Sequence, residues 1–297
     1  MKNLFAGLDK LGFEDIKDVE LYGSDNKLAT EELKDITPKE INHLYDKKII
    51  CPVCENEFTV KAIKTSSYKM KNRDSDFFIR YDLINPYFYD VWICNDCGYS
   101  AMKSDFLRIR SYQKDDITSN ISSRWKGREY SIPYDVDTAI ERYKLSLLNY
   151  FYMNARYSQK AMNCLKLAWM YRLKNDKENE ELYITESLKG FKEAYLNEDF
   201  PIYGMKKFTV MYLIGELNRR INNTKEALLW LGNVITSQMA DRKIKDLARD
   251  QRDLIKSPEI PPNSSKTSSS QSSPKKKGFF HHFLINKRVR RTYSNSL

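Results

Sequence analysis

From residue 134 to 257 apolar side chains recur every three to four positions, and one proline, Pro201, interrupts the run. That period marks helices burying one face. It predicts six helices, near 136–155, 158–174, 178–198, 205–221, 224–237 and 240–256, with breaks at Asn175-Asp176, Asp199-Phe200-Pro201 and Asn222-Asn223. Residues 48–112 are patterned differently: 58–63 and 89–93 alternate as strands do, and each lies beside a Cys-x-x-Cys pair. Residues 1–47 open with a short amphipathic helix (Leu4, Phe5, Leu8, Leu11 and Phe13 near one face). They hold a second helix start at Thr37-Pro38-Lys39-Glu40, with Thr37 as its cap. Residues 113–133 read as a polar connector. Residues 257–277, rich in serine, proline and lysine, read as a disordered linker, and 278–297 as a basic-aromatic tail.

The cysteines carry the sharpest chemistry. Cys51-Pro52-Val53-Cys54 and Cys94-Asn95-Asp96-Cys97 each present two thiols from a tight turn, and Gly98 follows the second pair with freedom to take a positive φ. No stretch approaches the roughly 20 apolar residues of a membrane span, and the first residues do not read as a secretory signal. The expectation is a cytoplasmic protein with reduced thiols, in which paired Cys-x-x-Cys units are metal ligands before they are disulfides. Four thiolates suit a closed tetrahedral zinc site that works structurally; iron would use the same ligands. The fifth cysteine, Cys164, lies on a helical apolar face and reads as a small buried hydrophobe.

Helix-period residues in the second half also share a spacing. Tyr152, Ala161, Leu165 and Ala168 in one stretch, and Gly215, Ala227 and Leu231 in another, resemble the small-and-aromatic set of the tetratricopeptide repeat. An irregular helical bundle would read much the same way. Stacked helix pairs present a surface for protein partners.

The runs DKKIICPVCENEFTVK and RDSDFFIRYDLINPYFYDVWICNDCGYSA resemble an uncharacterised bacterial family, domain of unknown function 2225. The resemblance spans roughly 1–256. It implies a zinc-ribbon-like module followed by tetratricopeptide-like helices in a bacterial cytoplasm, and no activity. Cys51, Cys54, Cys94 and Cys97 match its metal positions. The expected class is therefore α+β, mainly α: a small β zinc-ribbon-like module at 48–112 and antiparallel helical hairpins at 134–256.

Arg73, Asp74, Asp76 and Arg80 crowd one part of the insertion between the cysteine pairs. They form either a polar face for a ligand or partner, or a salt-linked loop holding the insertion against the ribbon. Neither they nor the three histidines compose a recognisable catalytic set, so the chain reads first as a non-catalytic adaptor that binds a protein, with a nucleic-acid-binding zinc ribbon as the alternative and an enzyme of unknown chemistry third.

Charge changes the picture last. The chain has 50 basic and 40 acidic residues, a net of +10. After Ser257 there are eight basic residues against one acidic, so that end carries +7; the rest, with 42 against 39, carries +3. A near-neutral body weakens a nucleic-acid reading. In the tail, Lys275, Lys276 and Lys277 precede Phe279, Phe280 and Phe283, and Lys287, Arg288, Arg290 and Arg291 follow. Clustered aromatics between cations favour an anionic lipid surface over nucleic acid.

Overall fold

The computed structural model describes Gly7 and residues 40–256. The amphipathic N-terminal helix, the cap at Thr37, the linker and the basic-aromatic tail lie outside the described residues. Glu40 begins no long helix: Glu40–His43 makes one 3-10 turn, and the chain runs straight into a strand.

Three antiparallel hairpins follow, each a separate two-stranded sheet. β1 (Leu44–Ile50) pairs with β2 (Glu57–Ile63), Leu44 opposite Ile63 and Ile50 opposite Glu57. β3 (Met70–Arg73) pairs with β4 (Ile79–Tyr81), and β5 (Val91–Ile93) with β6 (Ser100–Met102). The long insertion between the cysteine pairs thus contains a hairpin of its own. Asn85 ends it by accepting the amide of Tyr87 at 3.1 Å, starting a 3-10 turn over Pro86–Tyr89.

The stretch expected as a polar connector is partly helical. α1 (Ser111–Ile117) continues into a π-helical turn, Thr118–Ser122, and buries Ile117 and Ile121, two apolar side chains four residues apart. Sparse apolar residues in a polar run concealed it.

The six expected helices are present: α2 (Val136–Tyr152), α3 (Tyr157–Leu173), α4 (Lys177–Asn197), α5 (Lys207–Arg220), α6 (Thr224–Thr236) and α7 (Arg242–Lys256). Their breaks have local causes. Asn175 and Asn222 take left-handed backbone, which asparagine tolerates better than most residues, and end α3 and α5. Asp135 and Asp176 cap α2 and α4 through the amides of Thr138 and Asn179. Each helix packs on its predecessor in the chain, as short connections require. α5 is buried without interruption from Val210 to Asn218, so it is central. Gly215 makes this possible: a Cβ there would stand 2.9 Å from Leu231 of α6. Among the described residues no helix is long and apolar enough to cross a membrane.

The β5–β6 hairpin lies directly on α2. Asn149 accepts the Ser100 amide and donates to its hydroxyl at 2.7 Å. Tyr150 accepts the Met102 amide, while Arg142 donates to the carbonyl of Val91. One hydrophobic core therefore runs from Cys51, Cys94 and Cys97 through α2 and α3 to α5.

Candidate metal centre

Two turns of matching geometry bring the cysteines together. In the β1–β2 turn the Glu55 amide bonds to the Cys51 carbonyl at 2.9 Å; in the β5–β6 turn Gly98 bonds to Cys94 at 2.8 Å. Residue 55 and residue 98 both have positive φ, +62° and +73°. Gly98 meets a second demand. The Trp125 ring lies so close that a Cβ would be 2.7 Å from it. Trp125 donates its indole N–H to the Asn95 carbonyl at 2.7 Å, and Ser122 donates to the Cys97 carbonyl at 2.8 Å. The segment after α1 thus clasps the second turn, a contact that no sequence motif announced.

The four Sγ atoms lie within 4.8 Å of one another, with Cys51–Cys97 and Cys54–Cys94 at 3.6 Å. A tetrahedron built on metal–sulfur bonds of about 2.3 Å has edges of about 3.8 Å, so the set fits a zinc-sized ion. Cys51, Cys94 and Cys97 are buried and Cys54 half-buried. Hydrogen bonds from Cys94 and Cys97 lower the Cys51 pKa, and the same bonding to Cys51 raises those of Cys94 and Cys97. Four thiolates packed this closely repel one another, and a cation between them would relieve that repulsion. When bound, that ion supplies a cross-link between the hairpins. Cys164 is elsewhere, fully buried in α3, its thiol pushed up by burial.

The other expected group has a different setting. Arg73, Asp74, Asp76 and Arg80 surround the tip of the β3–β4 hairpin, which inserts between α3 and α5. Asp76 is fully buried; it accepts from Arg172 at 2.6 Å and from the Trp169 indole at 3.0 Å, and Arg220 lies 3.5 Å away. Burial raises its pKa, but the bonds and charge of Arg172 and the charge of Arg220 outweigh that and hold it below the ordinary carboxylate range. Asp74 is held by both Arg80 and Arg172. Ser75 donates to buried Glu216 at 2.6 Å, and the Tyr212 hydroxyl donates to the Ser75 carbonyl. Phe78 stacks on Trp169, ring centres 5.2 Å apart. Arg73 alone of the four is exposed, its guanidinium 4.4 Å from the centre of the Phe77 ring. The salt-linked loop is thus real, but it grips the helices, where the expectation placed it against the ribbon. Sequence could not reveal this, because Arg172, Glu216 and Arg220 lie about a hundred residues or more away.

Asp90 is a second anchor of this kind. Burial raises its pKa, yet Lys166 and Lys103 pull it below the ordinary range, and the Tyr143 hydroxyl donates to it.

Residues 44–255 match the family described as "Uncharacterized protein conserved in bacteria (DUF2225)". The chain belongs to that family. A curated relative, an uncharacterized protein of Borreliella burgdorferi, is 23% identical over 177 residues, 53% of this chain and 63% of the relative. The match thus spans less than two thirds of that relative's length. No solved structure matches. The RDSDFF and NPYFYDVW strings of this chain are the tip that enters the helices and the turn that reaches Asp90, and the four paired cysteines are the sulfur cluster.

Proposed function

We propose that the protein is a cytoplasmic, zinc-stapled scaffold whose tetratricopeptide-like helices bind a protein partner. The closed four-sulfur set carries the reading. Four protein ligands leave no coordination position for substrate, so the ion's role is to hold two hairpins together. Those hairpins share a core with α2, which makes the metal a fastener for the helical array. Leu196, Leu229 and Met239 are exposed at 73%, 57% and 82% and offer apolar contacts to a partner.

Two measurements test this. Purified protein should hold close to one zinc per chain by elemental mass spectrometry; protein free of zinc under reducing conditions overturns the metal assignment, and iron in its place corrects it. Full-length chain should capture a stoichiometric protein from nuclease-treated lysate, and Leu229→Asp with Met239→Asp should lose it. Recovery of nucleic acid without protein argues against the adaptor.

A second reading concerns the tail. Its cations and phenylalanines suit peripheral attachment to anionic lipid. Liposome pelleting of wild type against a variant with Phe279, Phe280 and Phe283 changed to Ser checks it: equal pelleting of both rejects it.

A further inference from the structure

A cleft of about 270 Å³ opens between the segment after β6, the α2–α3 turn and the α4–α5 loop. Arg108, Arg110 and Arg156 line it, all exposed. Most arginines of the described chain close on carboxylates, among them Arg80, Arg128, Arg172, Arg219 and Arg220. The three in the cleft have no ion pair among the described residues, and they stand together.

Arg156 is also costly where it is. It is the N-cap of α3, a place that favours Ser, Thr, Asp or Asn and repels a cation. The helix start is served instead by Glu198, which accepts the Ser158 amide at 2.9 Å and its hydroxyl at 2.6 Å. The helix end is therefore already occupied and adds nothing to the site; what remains unrelieved is the guanidinium charge. A local rule broken beside a cleft, with no gain inside the fold, points to a gain from outside it.

Three carboxylates share the lining, and none pairs with these arginines. Asp105 is buried and accepts the hydroxyls of Tyr150 and Tyr203. Glu198 serves Ser158, and Asp199 is exposed. Asp105 and Glu198 are thus engaged within the fold, and the cleft offers three guanidinium donors and one exposed carboxylate, Asp199, that do not satisfy each other. A bare anion would use only the first, and net charge in the lining is balanced. A ligand with a phosphate and several hydroxyls would use both, since guanidinium matches phosphate bidentately and carboxylates accept from hydroxyls. The volume lies just under the roughly 300–1,000 Å³ of common ligand pockets, which limits the ligand to a small molecule. We propose that this cleft binds a small phosphorylated polyol, phosphate on the arginines and a hydroxyl on Asp199. This goes beyond the scaffold role and does not depend on it.

Isothermal titration of the full chain with ribose 5-phosphate, ribose and inorganic phosphate tests it. The expected result is saturable one-to-one binding of the ester, weaker binding of phosphate and none of ribose. Arg156→Gln should weaken ester binding about tenfold or more, the scale of a lost charge-assisted contact. Arg108→Gln with Arg110→Gln supplies the same comparison if Arg156→Gln perturbs the fold. Arg242→Gln, 96% exposed on α7, should leave it unchanged. Basic residues of the tail also attract phosphate, so dependence on the cleft arginines decides. Absence of saturable ester binding, equal affinity in the cleft variants, or phosphate binding as tightly as the ester each overturns the proposal.

Discussion

Asp76→Asn removes one negative charge from the tip of the β3–β4 hairpin and little else. The side chain is fully buried, and its two oxygens meet Arg172, Trp169 and, more distantly, Arg220. The amide keeps the shape but cannot balance two guanidinium groups, and its NH₂ faces donors. Removing one partner of a buried ion pair costs about 3–5 kcal/mol. For a chain of this size, each kcal/mol lowers the midpoint by about 2–4 °C, so a fall of about 6–20 °C is expected. Asp46→Asn is the reference: Asp46 also meets a cation, Lys61 at 2.6 Å, but its side chain is 58% exposed, and such pairs contribute about 0–1 kcal/mol. Thermal and urea denaturation followed by circular dichroism read both, with zinc content measured alongside. Asp76→Asn should lose stability while keeping metal, because the sulfur ligands are not its partners. A loss no greater than that of Asp46→Asn would refute the claim that this charge cluster fastens the hairpin to the helices.

Zinc removal by chelator should lower the melting of the whole described region in one transition, since Cys51, Cys94 and Cys97 share a core with α2 and α3; two separate transitions would contradict that. Gly215→Ala should destabilise by about 1–3 kcal/mol through its clash with Leu231, whereas Gly232→Ala, with nothing within 4 Å, should stabilise by about 0.5–1 kcal/mol; denaturant midpoints compare them. Acid should unfold the protein through Asp76 and Asp90. Both have folded pKa values below the ordinary one, so their contribution is full above the unfolded value of about 3.9 and is lost as pH falls through it toward the folded values. Melting midpoints from pH 7 to 3 should show that slope, and Asp76→Asn should flatten it; an unchanged slope counts against the assignment.

The helical half was legible because its period is long, sustained and punctuated by residues that break helices for known reasons. β1 was not. Its run LYDKKII buries only Leu44 and Ile49, too few to alternate, and its pairing with β2 makes it a strand. The four-cysteine cluster was legible from spacing alone, while Trp125 and Ser122, which hold the second turn, carried no motif. The charged cluster was visible as a composition, but its meaning depended on which charges met it. A local string cannot say whether Asp74 and Asp76 face water, the ribbon, or arginines on a helix far along the chain.

That distance has a consequence for how the protein is made. Ser75 and Glu216 are 141 residues apart, and Asp76 and Arg172 are 96 apart. At synthesis rates of about 5–20 residues per second, the hairpin tip waits roughly 7–28 s for α5. All four clustered cysteines emerge long before then. A chain stopped short of α5 would have Arg172 and Trp169 for Asp76 and Phe78, but no Glu216 for Ser75 and no Tyr212 for Phe77. The tip thus has its full set of partners only when most of the helices have been built.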